Sequence, residues 1–169
     1  MRTFKVVLLL LFMSVNIDAG TAVNDKNWRS HPEILKIRKV CNEVIALKNT
    51  IMKLKRCDDE EALMDQGLLE LSATIYMDSK GTVRRYIVEG GGDFVFETEY
   101  FYDENGTLRF IYDQFRSPGD INIEDRFYFN EKGDEIYTHH QTKGNGWPLD
   151  SKQITNPKEH FKKLCDKKE

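Results

Sequence analysis

The sequence predicts an α+β fold: one long N-terminal helix packed on a twisted six-stranded antiparallel sheet of three hairpins, plus a short C-terminal helix. Three observations carry this prediction. Apolar residues recur every three or four positions from Ile34 to Leu54; a ten-residue pattern ending beyond a glycine turn occurs three times between Ile75 and Ile136; and a second capped, amphipathic segment lies at 157–166.

The first residues read as an export signal. Arg2 and Lys5 flank the start of an unbroken apolar run from Val6 to Met13, and the small residues Ala19, Gly20 and Ala22 supply cleavage positions. The run is too short to serve as a membrane anchor, and the lack of a cysteine after it argues against a lipoprotein. Residues 1–22 are therefore set apart as a signal peptide, with a buried strand as the weaker alternative. Residues 23–169 have a length that suits a single α+β domain, and the compartment implied is periplasmic or extracellular.

The long helix is predicted over 31–56. Ser30 as N-cap, Pro32 in the first turn and Glu33 three residues on form a capping box. Ile34, Ile37, Val40, Cys41, Val44, Leu47, Ile51 and Leu54 share one face, with Lys36, Lys39, Glu43 and Lys53 opposite. Such a helix is roughly 39 Å long. It holds fewer than four heptads, which leaves a coiled-coil seam the weaker reading. The acidic run Asp58-Asp59-Glu60-Glu61 opens a connection to Gly67.

The sheet rests on an internal repeat. Ile75-Tyr76-Met77-Asp78-Ser79-Lys80-Gly81-Thr82-Val83-Arg84 aligns with 100–109, Tyr-Phe-Tyr-Asp-Glu-Asn-Gly-Thr-Leu-Arg, and with 127–136, Phe-Tyr-Phe-Asn-Glu-Lys-Gly-Asp-Glu-Ile. Asp or Asn suits the first position of a tight turn, and glycine supplies the positive φ that closes it. Six strands follow at about 69–77, 82–89, 93–102, 107–115, 121–129 and 134–142, joined by Gly90-Gly91-Gly92 and Ser117-Pro118-Gly119-Asp120. Strict alternation places Leu69, Leu71, Ile75, Val83, Ile87, Phe94, Phe96, Tyr100, Leu108, Phe110, Ile121, Ile123, Phe127 and Ile136 on one apolar face. The long helix is the matching cover, so the sequence predicts helix on sheet. At the other end, Asn156-Pro157-Lys158-Glu159 opens a helix at 157–166 with Phe161, Leu164 and Cys165 inward.

Charge is segregated along the chain. Residues 33–56 carry seven basic and two acidic residues, 57–142 seven basic and twenty acidic, and 143–169 seven basic and four acidic. An acidic sheet repels phosphates, which argues against nucleic acid as a partner. Of the three cysteines, Cys41 and Cys57 would stand roughly 24 Å apart on one helix, far beyond bonding range. Cys57 with Cys165 is the candidate disulfide, leaving Cys41 as a small buried residue on the helix.

The Tyr-x-Asp-x-x-Gly hairpins resemble the tyrosine–aspartate repeats of bacterial wrapping and toxin-delivery proteins, with Asn130 replacing the aspartate in the third copy. Export, one helix and this sheet also resemble small secreted or periplasmic bacterial proteins. The resemblance implies a compartment and a fold, and no activity. A helix against an antiparallel sheet is similar to cystatin-type inhibitors too, but that family's inhibitory loop motif does not occur.

The opposite sheet face is the candidate site. Alternation assigns to it Tyr76, Arg84, Tyr86, Glu97, Glu99, Phe101, Arg109, Ile111, Glu124, Arg126, Tyr128, Tyr137 and His139. Arginine and aromatic residues suit a binding surface; equally, the arginines and glutamates can serve as cross-strand pairs. Arg84, Tyr86, Glu97, Glu99, Phe101, Arg109, Arg126, Tyr128 and Tyr137 are the candidate binding residues. His139 and His140 point to opposite faces of a strand, and no ligand spacing completes a metal site. No phosphate loop or nucleophile elbow occurs, no cofactor is implied, and Asn105-Gly106-Thr107 is a turn before it is a glycosylation acceptor. The residues point to a non-enzymatic binding protein that engages another envelope or extracellular protein or a surface polymer. A hydrolase of envelope polymers using Glu97, Glu99 or His139, and a structural accessory protein, are the alternatives.

Overall fold

Three tight turns organise the molecule. In each, one side-chain oxygen does the work of closing the loop: Asp78 Oδ1 accepts from the Lys80 and Thr82 amides at 2.9 Å, Asp103 Oδ1 from Asn105 and Thr107 at 2.9 and 3.0 Å, and Asn130 Oδ1 from Lys132 and Asp134 at 2.8 and 3.0 Å. Asn130 thus replaces aspartate without loss, because the turn uses a carbonyl-type acceptor rather than a charge. Gly81, Gly106 and Gly133 follow at φ of 81°, 82° and 85°, the left-handed region that a side chain disfavours.

The computed structural model describes residues 21–47, 53–58, 70–144, 146, 148–149 and 152–165, with the backbone alone at 53–58, 70, 71 and 165. Within these residues the elements are α1 (Pro32–Leu47), β1 (Lys53–Asp58), β2 (Glu70–Met77), β3 (Val83–Gly91), β4 (Val95–Tyr102), β5 (Leu108–Ser117), β6 (Ile121–Phe129), β7 (Glu135–Lys143) and α2 (Pro157–Cys165). The strands form one antiparallel meander in the order β1 to β7. Nearly all of the predicted signal peptide (1–22) and the connection to Gly67 lie outside the described residues, as do the side chains of Cys57 and Cys165.

Two expectations are corrected. The first helix is 16 residues long, not the 26 of 31–56. Asn49, Thr50 and Ile51 are weak helix formers, and 53–58 pairs instead with the outer edge of β2 from Lys53↔Met77 to Asp58↔Ser72. The helix start also shifts. The Glu33 amide donates to His31 Nδ1 at 3.3 Å, and Ser30 Oγ turns back to the Asn27 carbonyl, so His31 rather than Ser30 caps the helix.

The second correction concerns which face is covered by what. Each hairpin carries a bulge at the same place: the register slips between Tyr76 and Met77, Phe101 and Tyr102, and Tyr128 and Phe129, with Arg84, Arg109 and Ile136 as the extra residues. One extra residue reverses the facing of the side chains beyond it. Tyr86 and Ile111, expected outward, are fully buried in the apolar core, while Ile87 and Phe110 turn to the other face. The core of Ala73, Ile75, Val83, Tyr86, Tyr100, Tyr102, Leu108, Ile111 and Phe129 is covered by Ile154 and by Phe161 and Leu164 of α2. Helix α1 lies on the opposite face, where Ile34 and Ile37 pack on Tyr128 and Phe110 beside Trp28. Among the described residues the sheet therefore has one helix on each face, and α1 does not cover the larger core.

Candidate functional site

Cross-strand registers on the α1 side line the side chains up in rows perpendicular to the strands. The row nearest the hairpin turns is Tyr76–Arg85–Phe101–Phe110–Tyr128–Tyr137. Beyond it lies Thr74–Ile87–Glu99–Tyr112–Arg126–His139, and beyond that Ser72–Glu89–Glu97–Gln114–Glu124–Gln141. Helix α1 packs over the first row. Phe101 and Tyr128 are buried, with Phe110 tilted between them at ring distances of 5.8 and 5.0 Å. The third row emerges from under the helix as a polar shelf, half-buried by its own neighbours.

Charge on the shelf and in the rows beside it is paired in part. Arg85 lies over the Tyr76 and Phe101 rings at 5.6 and 5.4 Å and donates from Nε to Glu99 Oε2 at 2.7 Å, with Nη2 on the same oxygen. Arg126 lies 5.3 Å over Tyr112 and donates to Glu124 Oε2 at 2.6 Å. Burial raises the Glu124 carboxyl, but the hydrogen bond and charge of Arg126 outweigh it and hold the group below its ordinary range. Glu97 moves the other way. Burial first, then the charge of Glu99, a hydrogen bond with it and the charge of Glu89, push its carboxyl up against the smaller pull of Arg85. Asn122, one step further along β6, donates to Glu124 while its Oδ1 is buried with no hydrogen-bond partner.

An aromatic wall closes one end. Trp28 stacks on His139 at 4.5 Å and Tyr137 at 5.8 Å, with Arg29 and Arg38 over the indole at 5.4 and 5.1 Å. Burial and the charges of Arg126 and Arg29 lower the His139 imidazole pKa. Tyr137 donates to Asp25 Oδ1 at 2.8 Å; burial and that carboxylate push the phenol up to about 12.

The sequence-derived candidates divide accordingly. Glu97 lies on the shelf, Glu99 and Arg126 in the row beside it, and Tyr137 at the aromatic wall. Phe101 and Tyr128 lie beneath α1. Tyr86 belongs to the other face, where its hydroxyl meets His160 Nδ1 at 2.8 Å. Arg84 and Arg109 are buried at the bulges, donating from Nε to the carbonyls of Tyr102 and Phe129 at 3.3 and 3.2 Å. Alternation alone misses Arg85, Tyr112, Gln114 and Trp28; the first three sit in strands read with reversed facing. It also misses buried Asp125 on the α2 side, which pairs with His140 and accepts from the Leu149 amide at 2.7 Å. No group of three or more potential metal ligands occurs among the described residues, and none of their helices is long and apolar enough to cross a membrane. Comparison of the chain with protein-family models, with characterised proteins and with solved structures yields no match.

Proposed function

We propose that the protein is an exported, non-enzymatic binding module whose polar shelf engages another envelope or extracellular protein or a surface polymer. The observation that carries this reading is the Glu89–Glu97–Gln114–Glu124 row, which spans β3 to β6 with no covering element among the described residues. Strands stand about 4.8 Å apart, so these side chains offer a straight line of hydrogen-bond acceptors to an extended ligand. The acidic bias favours a partner rich in basic or hydroxyl groups.

The hydrolase alternative rests on Glu97 and Glu99, which share a face two residues apart on β4. The Arg85 guanidinium holds Glu99, which ties up one of the two carboxyls that glycoside cleavage requires. Binding is the better use of the pair.

The test is retention of partners from envelope extract on the immobilised protein, with the wild type compared against a Glu89→Gln/Glu97→Gln/Glu124→Gln variant. The proposal predicts a partner held by the wild type, released by salt and lost with the variant. Identical partner lists for the two proteins would contradict it.

A further inference from the structure

A cavity of about 480 Å³ lies between the C-terminal half of α1 and the hairpin turns, lined by Arg84 and Arg109 together with Glu43, Asp103, Glu104 and Glu131. It is separate from the shelf, and the reading below does not depend on that one. Arg109 is only 4% exposed, and its Nη2 is buried with no hydrogen-bond partner. Its Nε serves the Phe129 carbonyl and its Nη1 approaches Asp103 at 3.4 Å, so the structural duties of the side chain leave one nitrogen over. Arg84 serves Tyr102 in the same way and has only a distant contact, 4.0 Å, with Asp78. In the third hairpin the equivalent residue is Ile136, where no further hairpin follows among the described residues.

A guanidinium nitrogen left buried and unpaired is costly, and two arginines lining one cavity suit a carboxylate. A simple anion is nevertheless a poor match, because the acids lining the cavity outnumber the arginines. Asp103 is already engaged by its turn amides and by Arg109. Glu104 and Glu131 are exposed at the rim, and Glu43 has only an exposed contact with Lys39 at 3.9 Å. A buried cationic floor under an acidic rim matches a ligand carrying both charges.

We propose that this cavity binds a small zwitterion of the amino-acid or short-peptide class, its carboxylate on Arg84 and Arg109 and its ammonium on Glu43, Glu104 and Glu131. The probe is L-alanyl-L-alanine, titrated calorimetrically into the full protein beside its C-terminal amide and its N-acetyl form. The free dipeptide is expected to bind saturably, and each blocked form to bind at least about tenfold more weakly, since each loses a charge-assisted contact. Glu43→Gln/Glu131→Gln, at exposed positions that do not threaten the fold, is expected to weaken the dipeptide to the same degree. No saturable binding of the dipeptide, equal binding of the blocked forms, or unchanged binding by the double variant would each overturn the proposal.

Discussion

Glu97 gives the residue-scale account its sharpest consequence. Its folded carboxyl holds a proton to higher pH than the unfolded one, so between those two values the folded state binds more protons. Its contribution therefore favours folding below the ordinary carboxylate range and is lost as pH rises through the raised value. Glu124, held low by Arg126, behaves oppositely: its contribution is present above the ordinary value and fades as pH falls through the lowered one. Glu97→Gln is thus expected to flatten the wild type's loss of stability across mildly acidic pH and to stabilise the neutral protein slightly. Urea midpoints at a series of pH values check this, and parallel profiles for the two proteins would argue against the crowded carboxyl pair. The pairing of Glu97 with Glu99 was legible in the sequence, because β4 precedes its bulge and simple alternation holds there. Tyr86 and Phe110 were misread because they follow one. The extra residue leaves no mark in composition; its only trace is that Arg84, Arg109 and Ile136 each stand three residues after the turn glycine.

At the scale of elements, α1 and α2 pack on opposite faces of the sheet. Ile37 of α1 is fully buried while Leu35 is half exposed. Ile37→Ala should cost about 2–5 kcal/mol and Leu35→Ala no more than about 0.5 kcal/mol, read by chemical denaturation. Similar costs for both would mean that α1 is not seated on Tyr128. Helix α2 packs against β1, β2 and β3, and Cys57 stands opposite Ala73 of the core that α2 covers. We infer that Cys57 and Cys165 are joined, which leaves one thiol. Cys41, raised by burial to about 12, should then resist alkylation in the native protein and react only after unfolding. Mass spectrometry of the alkylated, unreduced, denatured protein should count one label; three labels would exclude the bond. The hairpins and α2 were readable because local chemistry specifies them: a turn acceptor, a glycine, an Asn-Pro cap. The end of α1 was not, since Leu54 extends the helical spacing while its segment answers to a tertiary demand, the open edge of β2.

Among the described residues the molecule is a sheet covered on one face by α2 and Ile154, and on the other over its aromatic end by α1. Both proposed sites follow from that partial cover. The polar shelf is what α1 leaves open, and the arginine cavity is the space between α1 and the hairpin turns. Each depends on the bulges: Arg84 and Arg109 of the cavity are the extra residues themselves, and the reversal beyond them puts Glu89 and Gln114 on the shelf. The measurement that reaches this claim most directly is a nuclear Overhauser map of the labelled protein. The account predicts contacts from the Ile34 and Ile37 methyls to the Phe110 and Tyr128 rings, and from the Phe161 ring to Tyr86. Contacts from Ile37 to Tyr86 or Ile111 would instead place α1 over the larger core and contradict the arrangement from which both sites are drawn.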